Sequence, residues 1–213
     1  MKRIFVIFAV FATMILMVSC GGDGSSSCSF GEWECRGNDS YFCGNLDNPE
    51  WKYSESCVSG CDTSTGYCKP WTDFDTNLTW SYLQKESLMS ISGLTWEEAT
   101  TFCSVDGWRL PNIDELRTLI QYCLGTVTGG TCPVSEKNDC LSPLDECYKS
   151  EADDCHCHSV SNGKHSKLGD SGTLWSSSTL SSDIANSAWN VDFSYGDVNV
   201  SYTNYHYYVR CVR

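Results

Sequence analysis

The nine residues that decide the fold class are TWEEATTFC, running from Thr95 to Cys103. Thr95 with Glu98 three positions later has the T-x-x-E form of a capping box, which satisfies the first free amide groups of a helix. Apolar or small side chains then recur at the spacing of one helical face. Those side chains are Trp96, Ala99, Phe102 and Cys103. The segment therefore predicts a helix that ends at about Cys103.

A second helix is predicted directly downstream, within GWRLPNIDELRTLI at residues 107–120. Asn112 is a suitable N-cap, and Glu115 follows it three positions later. The residues that would form its apolar stripe are Ile113, Leu116, Leu119, Ile120 and Cys123. Acidic residues in the first turn favour the helix dipole, so Asp114 and Glu115 need no catalytic role.

Strand patterns flank the two helices. Residues 78–82 (LTWSY) are typical of an early strand. Apolar and polar residues alternate over 189–193, turn residues follow at 194–197, and the apolar alternation restarts at 198–200. A last strand over 207–211 would place Tyr, Val and Cys on one face. The order of strand, two helices and antiparallel meander predicts an α+β fold.

The chain has 15 cysteines, and most of them fall into two clusters. The first cluster comprises Cys28, Cys35, Cys43, Cys57, Cys61 and Cys68. These cysteines lie in residues 28–70, a segment too short to bury a sufficient hydrophobic core. We therefore expect a module that depends on three disulfides, whose pairing the sequence does not determine. The second cluster comprises Cys123, Cys132, Cys140, Cys147, Cys155 and Cys157. It predicts a loop over 123–160 that is held by three local disulfides.

The N-terminus is typical of an exported protein. Two basic residues precede a continuous apolar run over 4–18, which is shorter than the roughly 20 residues that span a bilayer. Small residues then surround Cys20, which resembles a bacterial lipobox. We expect a signal peptide at 1–19, cleavage before Cys20, acylation (palmitate) of its sulfur, and a Gly/Ser tether over 20–27. Assigning Cys20 to lipid leaves 14 cysteines, enough for seven disulfides.

The net charge limits the class of partner. It is −13, and removal of a signal that carries Lys2 and Arg3 makes it −15. A strongly acidic surface repels nucleic acid and sulfated glycans, and it favours neutral or cationic ligands or divalent cations.

Five segments of the chain resemble the Lcl C-terminal domain family in order and spacing. They are TWEEATTFC (95–103), GWRLPNIDELRTLI (107–120), WSSST (175–179), AWNVDFSYGDV (188–198) and YYVRCVR (207–213). The resemblance covers 71–213 and implies a C-type lectin-like fold. It also implies a disulfide between Cys103 on the first helix and Cys211 on the last strand.

The resemblance implies binding or adhesion more than catalysis. One family member is an adhesin for sulfated glycosaminoglycans, a ligand that the acidic charge here disfavours. The fold is related to formylglycine-generating enzymes, which use reactive cysteines, but Cys211 occupies the structural half-cystine position. No nucleophile elbow, metalloprotease motif or phosphate loop is present in the sequence. We expect no enzymatic activity, no catalytic residues and no cofactor.

Two motifs suggest metal binding, and both have a simpler explanation. Asn190 and Asp192 in Trp-Asn-Val-Asp are similar to part of a calcium-lectin motif, but we interpret them as solvent-facing strand residues. Cys155-His156-Cys157-His158 offers four zinc ligands, yet strand-like alternation would separate the cysteines from the histidines. We expect disulfides there and no metal site.

The candidate ligand-binding residues are aromatic and lie near the C-terminus. They are Tyr195, Tyr202, Tyr205, His206 and Tyr208, with packing in the core as the alternative role. We expect an extracytoplasmic lipoprotein, anchored at the outer membrane or cell surface, that binds a glycan or a protein. The alternatives are a structural envelope spacer and a degenerate relative of the formylglycine-generating enzymes.

Overall fold

The computed structural model describes residues 28–44, 49–84, 93–142, 155–157, 165–180 and 186–213. The expected lipid anchor at Cys20 lies outside these residues. Within them, no helix is both long and apolar enough to cross a membrane.

The cysteine-rich module is a small antiparallel sheet. Its strands are β1 (Trp33–Arg36), β2 (Asp39–Gly44) and β3 (Glu50–Ser56), in the order β1-β2-β3. Three disulfides hold it, namely Cys28–Cys43, Cys35–Cys61 and Cys57–Cys68. All three lie within the module, as the cysteine spacing predicts, and they stabilise a sheet too small to rely on its own core.

The first predicted helix is confirmed together with its capping box. Helix α1 spans Trp96–Cys103. The Thr95 N–H donates to the Glu98 carboxylate at 2.9 Å, and the Glu98 N–H donates to the Thr95 hydroxyl at 3.4 Å. These two bonds satisfy free amide groups at the helix start and fix where the helix begins.

The second helix is shorter than predicted. Helix α2 spans Ile113–Arg117, and its Asn112–Glu115 capping box is present. The apolar stripe continues beyond it and stays buried, but in non-helical backbone. The Gln121 N–H donates to the carbonyl of His165 at 2.8 Å, and the carbonyl of Leu119 accepts from Lys167 at 2.9 Å. Pairing with this neighbouring segment competes with helical hydrogen bonds and ends the helix.

The C-terminal meander confirms the α+β class. Strands β4 (Trp71–Asp73) and β5 (Leu78–Trp80) form a hairpin, so the early strand is shorter than predicted. Strands β6 (Thr173–Thr179), β7 (Ser187–Asp192) and β8 (Asp197–Tyr202) form an antiparallel sheet in the order β6-β7-β8.

The expectation that Asn190 faces solvent is wrong. Strand β7 is central and packed on both faces, and Asn190 is only 1% exposed. Its side-chain amide donates to the hydroxyl of Ser201 on β8 at 3.1 Å. This hydrogen bond lets a polar side chain occupy a buried position that alternation alone assigns to the surface.

The last predicted strand is replaced by separate bridges to several parts of the domain. Val209 pairs with Gln84, Tyr207 with Leu94, Val212 with both Trp80 and Arg109, and Tyr208 with Leu174. The partner changes every few residues, so no continuous ladder forms. The expected disulfide between Cys103 and Cys211 is present and joins residues 108 positions apart.

The cysteine-rich loop is organised by disulfides and by one arginine. Cys123 bonds to Cys157, Cys132 bonds to Cys155, and Cys140 is disulfide-bonded as well. The buried Arg117 guanidinium donates to four backbone carbonyls, those of Thr126, Val127, Cys132 and Val134. Burial lowers the pKa of Arg117. These bonds satisfy loop carbonyls that would otherwise be buried without a donor.

A buried ion network joins the cysteine-rich module to the larger domain. Arg210, 3% exposed, donates to Asp170 at 2.6 Å and to Glu55 of the module at 2.6 Å. Glu55 also accepts the N–H of Leu83 at 2.8 Å, and Arg210 donates to the carbonyl of Ser81 at 2.7 Å. Burial alone lowers the pKa of a guanidinium, but the two carboxylates raise the pKa of Arg210 above its ordinary value.

Replacing Glu55 should therefore destabilise the protein strongly. Glu55→Ala removes one partner of a buried charge and leaves the Leu83 N–H without an acceptor. We expect the free energy of unfolding to fall by about 3–5 kcal/mol. Urea denaturation of the oxidised protein, followed by tryptophan fluorescence, measures it.

The matched control is Glu50→Ala, which removes an exposed pair with Lys52 whose charged atoms lie 3.9 Å apart. An exposed pair contributes about 0–1 kcal/mol, so this variant should unfold almost like the parent. Equal losses in the two variants would contradict the role given to the network.

Candidate functional site

Three of the five predicted aromatic residues gather on one surface, which we call the tyrosine patch. It consists of Tyr202, Tyr205 and His206, with Tyr207 beneath them. The ring centroids of Tyr202 and Tyr205 are 6.1 Å apart at an interplanar angle of 85°. Tyr205 meets Tyr207 in a similar edge contact at 6.2 Å. Tyr202 is 58% exposed and Tyr205 49%, so both rings can contact a ligand.

Backbone contacts fix the position of this patch. The Tyr205 N–H donates to the carbonyl of Tyr202 at 3.0 Å, which closes a turn at the end of β8. The N–H of Trp96 at the start of α1 donates to the carbonyl of Thr203 at 3.0 Å. Gly93 has a positive φ of 89°, and a Cβ there would lie 2.8 Å from the backbone of Tyr207. A larger residue at Gly93 would push the patch away from the domain.

The other two predicted residues lie elsewhere, so the five do not form one site. Tyr195 is in the β7–β8 turn, at the opposite end of β8 from Tyr202. Strand β8, which lies between them, is six residues long and spans about 17 Å at roughly 3.4 Å per residue. Tyr208 is only partly exposed and packs against the hydrophobic core. For Tyr208, the alternative role in the core holds.

The calcium-like and zinc-like motifs are engaged in other bonds. The Asp192 carboxylate accepts the N–H of Ser194 at 2.8 Å and so stabilises the turn. Cys155 and Cys157 are disulfide-bonded, and His156 Nδ1 lies 3.2 Å from the Asp197 carboxylate. His158 lies outside the described residues. Within the described ranges, no group of three or more His, Cys, Asp or Glu could hold a metal ion.

A concave site that the sequence did not predict lies between the two parts of the protein. We call it the aromatic cleft, and its volume is about 530 Å³. Its walls include Tyr67, Tyr82, Phe102, Val105 and Trp108. Small-molecule sites typically occupy about 300–1,000 Å³ and often lie at domain junctions.

One wall of the aromatic cleft comes from the cysteine-rich module. The Tyr67 ring stacks on Tyr82, with centroids 4.3 Å apart and an interplanar angle of 15°. The Trp33 ring packs against the Tyr67 ring, with centroids 4.7 Å apart. Gly66, at a φ of 77°, lets the backbone approach Trp33 so closely that a Cβ would lie 2.3 Å from it. Burial, and to a smaller extent the neighbouring Tyr67 and Glu55, raise the pKa of Tyr82 to about 12.

The opposite wall belongs to the larger domain. Phe102 on α1 meets Tyr82 edge-on, with centroids 6.4 Å apart and an interplanar angle of 82°. The Arg213 guanidinium lies 4.4 Å from the centroid of the Trp108 ring. The Cys103–Cys211 disulfide ties this wall to the C-terminal segment, and Cys211 itself lines the cleft.

Charged residues of both signs line the rim of the cleft. Hydrogen bonds to Asp62 from the Ser64 hydroxyl and, with a smaller effect, from the Ser64 N–H lower the pKa of that carboxyl. Asp62 is therefore ionised at neutral pH. The positive charge of Lys69 adds to this effect. Thr65 lines the same edge. The rim therefore offers a hydrogen-bond acceptor and a donor close together.

The sequence does not predict the cleft or the Arg210 network, for two different reasons. The rings of the cleft come from four separate segments, and no spacing relates them. Arg210 carried a weak signal, because Tyr208 and Val212 lie on the same side of an alternating segment. Apolar residues on both sides of a charge indicate that it can be buried, and then it needs a partner.

The raised pKa of Tyr82 predicts a measurable alkaline transition. The folded protein favours the neutral phenol, so the stabilisation is complete below pH 10 and is lost as pH rises through about 12. Absorbance titration of tyrosinate should show a component near pH 12 that disappears in Tyr82→Phe. The exposed Tyr195→Phe is the matched control and should keep that component. Its loss in the control instead would contradict the assignment.

Comparison with known proteins identifies the larger part of the chain. The family model for the Lcl C-terminal domain matches residues 70–213. No curated protein and no solved structure is significantly similar to the chain. The match covers well over half of the sequence and confirms the family resemblance of the five segments. The chain belongs to the Lcl C-terminal domain family.

Proposed function

We propose that this protein is an exported, lipid-anchored binding protein that holds its ligand at the tyrosine patch. The observation that carries the proposal is the exposed edge-to-face pair of Tyr202 and Tyr205. Rigid aromatic side chains provide large contact areas with little loss of conformational entropy, and they dominate the energetics of many interfaces. The ligand is a glycan or the surface of another protein.

Charge narrows the ligand to neutral or positively charged surfaces. The whole chain carries −13, and the acidic residues Glu97 and Glu98 lie in the first turn of α1. Glu98 lies near His206 of the patch, which contributes to lowering the pKa of the Glu98 carboxyl after the hydrogen bonds from Thr95. A sulfated glycan would meet repulsion both from the whole chain and from Glu97 and Glu98 beside the patch.

A C-type lectin-like arrangement is the finer fold that we propose for residues 71–213. Two features support it. The C-terminal segment pairs back onto Gln84 and Leu94 near the start of the domain, and the Cys103–Cys211 disulfide ties α1 to the same segment. Such an arrangement leaves the loops and turns of the C-terminal sheet available for ligands.

The acidic residues beside α2 have structural partners, which weighs against a catalytic role for them. A hollow of about 800 Å³ beside α2 contains Asp114 and Glu115. Asp114 accepts from the Ser135 hydroxyl at 3.0 Å, and Glu115 forms a two-pronged pair with Arg109 at 2.6 Å. Both carboxylates thus stabilise local structure. Cys211 is disulfide-bonded, which also weighs against a relative of the formylglycine-generating enzymes.

Loss of the two exposed rings should weaken ligand binding strongly. Screening the oxidised protein on glycan and protein arrays should give a saturable ligand, and Tyr202→Ala with Tyr205→Ala should weaken it at least tenfold. Tyr195→Ala, which removes a still more exposed ring at the other end of β8, should not weaken binding. Because Asn190 and Asp192 are already hydrogen-bonded, binding should be the same with calcium or chelator.

The array screen also separates this proposal from the structural alternative. An absence of any saturable ligand for correctly disulfide-bonded protein would favour an envelope spacer. If every saturable ligand bound equally well to the parent and to the double tyrosine variant, the patch would bind none of them and its proposed role would be contradicted.

The lipid anchor has its own test. Cys20→Ala should abolish the incorporation of labelled palmitate and move the protein from the membrane fraction to the soluble fraction. Ser26→Ala, in the following tether, should change neither result. Retention of label in Cys20→Ala would show that the lipid is attached elsewhere.

A further inference from the structure

We propose that the aromatic cleft is a second binding site, distinct from the tyrosine patch, and that its ligand is a neutral saccharide. The cleft is concave, whereas the patch is exposed, and its volume of about 530 Å³ can enclose a small ligand. Its walls are rings contributed by both parts of the protein, and its rim is polar.

The cleft is held in shape before a ligand arrives. Cys68 and Cys211 line it, and each belongs to a disulfide, with Cys57 and Cys103 respectively. Behind it, the Arg210–Glu55 contact at 2.6 Å holds the two walls together. A preformed site loses little conformational entropy on binding, which raises affinity for a small ligand.

The walls suit the apolar face of a sugar ring. Phe102 stands nearly perpendicular to the stacked Tyr67–Tyr82 pair, so rings of different orientation border one space. The axial C–H groups of a pyranose make favourable contacts with such ring faces, through dispersion and weak C–H hydrogen bonds. Trp108 adds a ring whose position is stabilised by the Arg213 guanidinium.

The rim selects for a ligand that is neutral and rich in hydroxyl groups. The ionised Asp62 accepts hydrogen bonds, Lys69 donates them, and their opposite charges offset each other. A hydroxyl group serves both, because it donates and accepts. An anionic saccharide would be attracted by Lys69 but repelled by the Asp62 carboxylate and by the net charge of −13.

An extended peptide fits the cleft less well. Backbone groups at its edge are already paired: the Asp62 N–H with the Tyr67 carbonyl at 2.8 Å, and the Ser81 N–H with the Cys211 carbonyl at 2.9 Å. The Lys69 N–H is likewise bonded to Gly60 at 2.9 Å. These groups are therefore unavailable for the backbone hydrogen bonds by which an added strand is recognised.

Isothermal titration of the detergent-solubilised, oxidised full chain tests the proposal. The probes are chitotetraose, maltotetraose and cellotetraose, with a chondroitin sulfate tetrasaccharide as the anionic probe and an aromatic neutral peptide as the competing class. We expect saturable one-to-one binding of at least one neutral tetrasaccharide. Trp108→Ala should weaken it at least tenfold, and the sulfated probe should bind more weakly.

A second variant guards against a folding defect in Trp108→Ala. Val105 is 55% exposed at the mouth of the cleft, so Val105→Arg should obstruct entry without removing any core contact. It should also weaken binding at least tenfold. The matched controls are Tyr195→Ala and Tyr202→Ala, which lie outside the cleft and should leave the affinity unchanged.

Several outcomes would overturn the proposal. They are the absence of binding by all three neutral tetrasaccharides, tighter binding of the sulfated probe, and binding of the peptide alone. Saccharide binding that is lost in Tyr202→Ala but kept in Val105→Arg would also overturn it, while supporting the tyrosine patch. The two proposals can therefore fail independently.

Discussion

The buried charge of Arg210 is the constraint on which the arrangement of the molecule depends. A guanidinium that is 3% exposed must find partners within the protein, and here they come from three parts of the chain. Asp170 belongs to the segment before β6, Ser81 follows β5, and Glu55 belongs to the cysteine-rich module. Separating the module would remove the Glu55 carboxylate from Arg210. Losing one partner of a buried charge destabilises the folded state strongly. The module is thereby held against the domain by a contact that is ionic and geometrically specific.

Disulfides and this ion network have complementary roles. The disulfides of residues 28–68 hold the module together internally, and Cys103–Cys211 closes the larger domain. None of these bridges joins the two parts. The network and the stacking of Tyr67 on Tyr82 do so, and the aromatic cleft is a direct consequence. The tyrosine patch depends instead on α1 and on the close approach of Gly93.

The sequence predicted best where the determining interactions are local. The capping boxes at Thr95 and Asn112 were evident because both partners lie within four residues. The length of α2, the burial of Asn190 and the position of Tyr208 depend on neighbours distant in sequence, so periodicity misjudged them. The same applies to the candidate site. Tyr202 and Tyr205, which the sequence predicted as ligand-binding residues, lie side by side and exposed, whereas the cleft forms only where the cysteine-rich module and the larger domain meet.

Hydrogen exchange at the Leu83 amide tests the account most directly, because that N–H donates to the Glu55 carboxylate across the junction at 2.8 Å. If the network holds the two parts as one body, this amide should exchange as slowly as the amides of β7 in the core, through global unfolding alone. Exchange at the rate of an unprotected amide, with β7 still protected, would show that the module separates in the native state and would contradict the account.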